Sequence, residues 1–354
     1  MTKALIAMSG GVDSSVTAHI LKEKGYECIG ITFSMFDKSS PLFGFDKSTA
    51  DKDIKDAEAV CNNIGIPFYA VDASEQFKKY VIDDFIRTYE NGETPNPCIQ
   101  CNRFVKFKLL YDYAEKFGCD IIATGHYART GFDESSGRYY IQKALDLSKD
   151  QSYVLYSLTQ EQIARTIFPL SEISKEDARK IAEENGFINA RKGDSQDICF
   201  IPDGDYASFI MRSTNKKYPA GNFIDTTNKI LGKHKGIINY TIGQRRGLEI
   251  ALNQRMYVKC KNVKNNTVIL STDKELYESR IVLENFNCVS KTDFDSPVRC
   301  TAKIRYSHKE NSAIAYRCDD RIILEFDEPQ RAPTKGQSAV LYDGDFVLGG
   351  GIIV

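Results

Sequence analysis

The chain has 354 residues, a formal net charge of −1 and 42% hydrophobic residues, enough for two or three folded units with proper cores. That balance excludes a globally basic nucleic-acid binder, so any such partner must be held by local patches. No run of about 18 apolar residues and no cleavable or Arg-rich leader is present, which excludes a membrane span and points to the cytoplasm.

The first apolar run, 4–8, reads as a strand, and a helix follows over 12–24. Between them lies Ser9-Gly10-Gly11-Val12-Asp13-Ser14-Ser15. Two adjacent glycines let the backbone turn tightly, and the N–H groups of the helix start face any anion placed there. No lysine follows the glycines to reach a terminal phosphate, as it does in the commoner mononucleotide loop. Asp13 fits a helix cap, together with Ser14, or a Mg²⁺-bridged pyrophosphate. The loop therefore reads as one that holds the pyrophosphate of ATP while chemistry occurs at the α-phosphate; its bland alternative is a capped β–α turn without a ligand.

Residues 27–33, 67–71 and 120–124 read as further strands and 51–64, 75–91 and 104–117 as helices, with 39–48 a loop near the glycine rim. Such alternation predicts a parallel sheet with right-handed crossovers, whose ligands bind at the carboxyl ends of the strands. One strand exit carries Gly125-His126, suited to close backbone approach to an adenine or ribose, though an ordinary exit with a hydrogen-bonded His has the same sequence.

Most of the ten dispersed cysteines are expected to be free, buried thiols. Three stand apart. Cys98 and Cys101 form C-x-x-C after Pro95 and Pro97, ahead of a helix expected to begin near Asn102. A helix start, Arg103 and Lys106 would then favour a reactive Cys101 thiolate. Cys199 lies between apolar residues and reads first as a buried thiol.

Beyond about residue 205 the texture turns to short β-rich runs: 256–263, 267–271, 280–289, 298–307, 312–317, 321–326 and 339–341. The expected organisation is a catalytic unit over 1–205, a small central β-containing unit over 206–278 and a β-barrel over 279–354. Lys229, Lys233, Lys235, Arg245 and Arg246 form one basic cluster, and Arg103, Lys106 and Lys108 another. Charge runs of this kind are most often solvated faces.

Seven motifs in order, AMSGGVDS (7–14), TPNP (94–97), CN (101–102), ATGHY (123–127), KDQSY (149–153), CFI (199–201) and YTIGQR (240–245), resemble the bacterial tRNA-specific 2-thiouridylases of the PP-loop ATP-pyrophosphatase superfamily. The resemblance implies an α/β PP-loop domain with a parallel sheet, a central domain and a C-terminal β-barrel. It implies ATP-dependent sulfur transfer to C2 of the wobble uridine of tRNAs for Lys, Glu and Gln, with ATP, Mg²⁺ and an upstream sulfur-donor protein. By motif matching, Ala7, Met8, Ser9, Gly10, Gly11, Val12, Asp13, Ser14, Met35 and Gly125 would contact ATP. Asn96, Pro97 and Cys98 would face the target base, and Lys149, Asp150, Gln151, Arg305 and Tyr306 would touch tRNA. Cys101 and Cys199 would take the two sulfur-handling positions.

Uridine O2 is a poor leaving group, so AMP is first attached to it, and sulfur then attacks C2 and expels AMP. Some members of the family carry Asp where this chain has Cys98. Cys98, Cys101 and Cys199 together offer three thiolates, the expected ligands of a 4Fe–4S cluster with one open iron. A Cys199 persulfide resolved by Cys101 is the competing route. Two rivals remain: a PP-loop enzyme that adenylates a carbonyl or carboxylate for amination, and a non-enzymatic RNA-binding or redox protein whose C-x-x-C forms a disulfide.

Overall fold

The computed structural model describes every residue except 37–46, 194–197, Asn253 and Lys291, and only the backbone of 47–50. Most of the loop expected over 39–48 thus lies outside the described residues. The chain opens with β1 (Lys3–Ala7), α1 (Val12–Glu23), β2 (Glu27–Ser34), α2 (Lys47–Ile64) and β3 (Phe68–Asp72). Next come α3 (Ser74–Phe77), α4 (Asp83–Glu90), α5 (Pro97–Cys101), α6 (Phe107–Phe117) and β4 (Ile121–Ala123). A hairpin, β5 (Ala128–Asp133) and β6 (Arg138–Lys143), leads to α7 (Gln160–Ala164), β7 (Thr166–Ile167), α8 (Lys175–Glu184) and α9 (Tyr206–Thr214).

Strands β3-β2-β1-β4-β7 form one sheet in that order, every pairing parallel. β1 is Lys-Ala-Leu-Ile-Ala with Ala4, Leu5 and Ile6 fully buried, the near-continuous apolar run a two-sided parallel strand needs. α1, α2 and α8 cover one face through Val16, Leu21, Val60 and Ala182; α6 covers the other through Leu110 and Ala114. Because β1 is flanked by β2 on one side and β4 on the other, the strand order reverses there, and the carboxyl ends of β1 and β4 border a crevice.

Two expected helices are not regular. The segment 75–91 contains a wide π-helical turn, Lys78–Ile82, joining α3 to α4, and a second, Asn102–Lys106, runs into the start of 104–117 and joins α5 to α6. An extra residue in a turn rotates everything after it, and such turns gather at functional sites.

The central unit is a sheet ordered β10-β11-β8-β9, from β8 (Gly221–Asp225), β9 (Ile230–His234), β10 (Tyr257–Asn262) and β11 (Thr267–Ser271). Its core residues Phe209, Phe223, Val258 and Leu270 are continuous with Phe77, Phe85 and Val105 of the first unit. β12 (Tyr277–Cys288), β13 (Val298–Lys303), β14 (Asn311–Cys318), β15 (Arg321–Arg331), β16 (Ser338–Asp343) and β17 (Phe346–Ile353) follow. They close into a six-stranded barrel through the β12–β17 pairing. The β5–β6 hairpin, early in sequence, joins the outside of this barrel at β17, so barrel and parallel sheet are laced together.

Among the described residues, no helix is long and apolar enough to cross a membrane.

Candidate active site

The glycine loop is built by packing. Gly10 has φ +71°, and a Cβ there would lie 2.3 Å from the Asp53 carbonyl oxygen of α2, so no other residue fits. Its own carbonyl turns outward, accepting from Asn189 Nδ2 at 3.0 Å and Lys192 Nζ at 2.9 Å. Lys192 also pairs with Asp53 at 2.5 Å and Asp56 at 3.0 Å, fastening α2 to the loop. The first N–H groups of α1 have no partner inside the helix and point out of its start, where an anion is favoured.

Gly11 occupies the N-cap and no side chain caps the helix, contrary to the roles expected for Asp13 and Ser14. Ser14 Oγ instead donates to Gly11 O at 2.9 Å and accepts from Ser9 N–H at 3.1 Å, bracing the loop from within. Asp13 is gripped by Lys175, whose Nζ lies 2.7 and 2.8 Å from the two carboxylate oxygens, and Tyr127 donates to it at 2.9 Å. The pair brings no net negative charge to the anion site. It also leaves Asp13 unsuited, in this arrangement, to ligate Mg²⁺, which would enter on the phosphates of a nucleotide. Sequence reasoning missed Lys175 and Lys192 because they arrive from 162 and 182 residues away.

Gly125 closes the crevice from the β4 side. A Cβ on it would meet Asp13 Cβ and Ser14 N at 2.9 Å, so this glycine sets the spacing between two loops rather than leaving open space. Next to it, His126 hydrogen-bonds Thr124 Oγ1 at 2.7 Å, and burial with the nearby Lys106 charge pushes its pKa down to about 3. It is neutral at physiological pH. Met35, just past β2, is half-buried against the core shared with the central unit.

The cysteine helix lies where two cores meet. Ile99 and Phe107 enter a core shared with Tyr153, Tyr342 and Val347 of the barrel side, whereas Cys101 and Val105 face the core shared with the central unit. Ahead of the helix, Gln337 Nε2 donates to Thr94 O at 3.1 Å and Pro95 O at 2.7 Å, tying the approach to the barrel. Asn96 sits at the N-cap and Pro97 opens the helix, a pairing of residue types that marks a helix start. The helix therefore begins five residues earlier than expected near Asn102, and Cys101 lies inside the column. Burial pushes its thiol up to about 11, against the opposing pull of Lys106. The expectation of a Cys101 thiolate favoured by a helix start is corrected accordingly.

Lys106 reaches the thiols because of the wide turn. Five α-helical residues would carry it about 140° round the axis from Cys101, but the turn, closed by Phe107 N–H donating to Asn102 O, absorbs one residue and gives the pair an i, i+4 relation. Burial lowers the Lys106 pKa, yet Cys101, Cys98 and Cys199 together hold it above its ordinary value. Cys199 is exposed rather than buried as its apolar neighbours suggest, and the adjoining Phe200 belongs to the same core as Cys101. Surrounding protein pushes its thiol to about 12, with Cys101 and Cys98 adding to the rise.

The structure thus brings residues 98, 101 and 199 to one place, around Lys106. They do not fit a metal centre there: among the described residues, no three His, Cys, Asp or Glu side chains are gathered closely enough to hold a metal ion. The expected cluster at Cys98, Cys101 and Cys199 has no support in this donor geometry. Of the ten cysteines, five are buried, fewer than expected.

Apart from Arg305, the remaining candidates gather at one surface with Cys98. Tyr153 hydrogen-bonds Asn96 and meets Tyr306 edge to face at 5.8 Å; Tyr306 donates to Asp150 O at 3.3 Å and senses the Cys98 thiol. Gln151 accepts from Tyr127 N–H at 3.0 Å, linking this surface to the Asp13 pair. Lys149 is half-buried beside them. Arg305 points elsewhere, donating to Ala332 O and Thr334 Oγ1. In the basic clusters, Lys235 is paired with Glu249 and Lys108 with Asp112.

A parallel sheet reversing at β1, with a glycine turn feeding a helix start beside it, defines an α/β nucleotide-binding protein of the PP-loop kind. Family models agree in order along the chain: a tRNA methyl transferase HUP domain over residues 2–203, a tRNA methyl transferase PRC-barrel domain over 207–272 and an aminomethyltransferase beta-barrel domain over 278–353. The chain is 47% identical to the tRNA-specific 2-thiouridylase MnmA of Clostridioides difficile, covering 99% of this chain and 98% of that one. It is 46% identical to the protein of that name from Acetivibrio thermocellus, over 99% of both chains. A solved 4-thiouridine synthetase–RNA complex with bound ATP is more distant, with a TM-score of 0.39 and 18% identity over 60% of this chain and 51% of that one. The chain belongs to the tRNA-specific 2-thiouridylase family.

Proposed function

We propose that this protein is a tRNA-uridine 2-sulfurtransferase that uses ATP to activate O2 of the wobble uridine of tRNAs for Lys, Glu and Gln, in the cytoplasm, with sulfur arriving from a donor protein. One observation carries the reading: Cys101 and Cys199, 98 positions apart in sequence, both act on one cation, Lys106, which also acts on His126 beside the rim glycine Gly125. A synthetase that transfers ammonia has no use for that pairing.

The division of labour follows from the residues. The N–H groups at the start of α1 hold the pyrophosphate of ATP, while O2 of the base attacks the α-phosphate and pyrophosphate leaves. Mg²⁺ accompanies the nucleotide and offsets its charge. Neutral His126 occupies the rim without adding charge. Asn96, Pro97 and Cys98 face the base, and the surface of Lys149, Asp150, Gln151 and Tyr306 receives the tRNA, while Arg305, turned toward Ala332 and Thr334, braces it from behind.

Sulfur transfer is assigned to thiols alone. Cys199 carries a persulfide, formed with the donor protein, whose terminal sulfur attacks C2 and expels AMP; the Cys101 thiolate then attacks the Cys199 sulfur. The C2–S bond remains, the S–S bond to Cys199 breaks, and a Cys101–Cys199 disulfide is left for a thiol reductant to reopen. Prior release of sulfide by Cys101 attack gives the same disulfide.

The test is purified protein with ATP, Mg²⁺, a persulfide donor and unmodified tRNA, digested and scored for 2-thiouridine. Thiolation abolished by Cys101→Ala and by Cys199→Ala is expected. Thiolation that survives either substitution overturns the assignment.

A further inference from the structure

One exposed feature is used by none of the chemistry above. Tyr80 and Phe104, one from each of the two wide helical turns, stack with ring centroids 5.5 Å apart and planes 18° from parallel. Both remain more than a third exposed, at 36% and 37%. Each ring carries a cation: Lys79 Nζ lies 5.1 Å from the Tyr80 centroid, and the Arg103 guanidinium 4.9 Å from that of Phe104. Lys79 and Arg103 are themselves exposed.

The geometry points to a stacking platform for unpaired nucleotides of the RNA substrate, in which Lys79 and Arg103 swing off the rings they now cover to meet the adjoining phosphates, and bases take their places in the Tyr80–Phe104 column. This inference rests on the reading that the substrate is tRNA, and it names where the loop next to the target base is held.

Three observations select this occupant. Two stacked, partly exposed rings offer a π-face to any base, and the flanking cations supply the complement to a phosphate backbone that a purely apolar patch lacks. The platform is also continuous with the site, since Phe104 is three residues after Cys101 and the Tyr80 turn packs on the cysteine helix. Finally, position distinguishes it from another stack, exposed Tyr69 on half-buried Phe117, which stands by the start of β3 and the end of α6, away from the carboxyl ends where the glycine loop lies.

The experiment measures binding of an unmodified tRNA transcript with a wobble uridine, and of its isolated anticodon stem-loop, across a salt series. Tyr80→Leu/Phe104→Leu keeps apolar bulk but removes both π-faces, and should raise Kd by about 5- to 150-fold without changing the salt slope. Phe104→Trp should bind within about twofold of the parent. Lys79→Ala/Arg103→Ala should flatten the slope of log Kd against log salt by about 0.7 for each phosphate that is no longer neutralised. Affinity for ATP and the melting temperature report on folding. A folded leucine variant that binds tRNA as tightly as the parent overturns the platform, as does an unchanged salt slope in the alanine variant. Normal tRNA binding with loss of turnover only when sulfur comes from the donor protein also overturns it, in favour of a protein partner. Failure of the parent protein itself to thiolate tRNA defeats the earlier reading instead.

Discussion

Replacing Lys106 by Met tests how this cysteine site makes a thiolate. With its pKa at about 11, Cys101 is ionised in only about one molecule in 3,000 at pH 7.5. Lys106 opposes the burial that raises it and acts on Cys98 and Cys199 as well. An opposite charge at close range shifts a pKa by about 1–3 units, so its removal should cut the Cys101 thiolate at least about tenfold at any neutral pH. The sign is fixed: losing a cation raises a thiol pKa, and the reactive fraction falls. Iodoacetamide alkylation followed by pH, with each cysteine resolved by peptide mass spectrometry, reads this directly, and exposed Cys318 on β14 serves as internal standard. In the parent, Cys101 reactivity should climb about tenfold per pH unit through pH 9. In Lys106→Met the curve should move to higher pH by a unit or more, and in Lys106→Arg it should not. Superimposable parent and methionine curves would refute the reasoning.

Further outcomes follow from the same geometry. Gly125→Ala should weaken ATP binding at least about tenfold, since its Cβ would press on Asp13 and Ser14; calorimetric titration checks this. Cys98→Ala should keep thiolation within about tenfold of the parent, because the thiol route needs only the other two cysteines, and active parent protein should be free of iron by metal analysis. Phe85→Ala, which removes a ring packed on Phe200, Tyr89 and Phe209, should lower stability by about 3–5 kcal/mol in denaturant titration and loosen the segment bearing Cys199. Gln337→Ala should free Thr94 and Pro95 from the barrel, lowering tRNA turnover while ATP affinity stays constant.

What could be read from residues alone was local. The strand–glycine–helix order at 4–24 needs only neighbours, so β1, Gly10 and α1 stand where expected. The start of the cysteine helix was legible too, in Asn96 followed by Pro97, but reading Pro95 and Pro97 as a rigid, extended approach drew the boundary to Asn102. The β5–β6 hairpin went unseen because the βα rhythm around it implied another crossover, although residues 133–137, Asp-Glu-Ser-Ser-Gly, carry a turn signal. β17 was hidden by Gly349, Gly350 and Gly351, poor strand formers that are required here because a Cβ would strike Phe286, Tyr156 and backbone carbonyls. The hold of Lys175 on Asp13, and the wide turn that aims Lys106, depend on packing between distant segments and leave no mark at the residues themselves.

The most direct measurement is a single turnover of the persulfidated protein with ATP and unmodified tRNA, quenched by alkylation and analysed for a peptide cross-linked between Cys101 and Cys199. One such disulfide for each 2-thiouridine and each AMP formed is the predicted result. Full thiolation with both thiols still free and alkylated would contradict it.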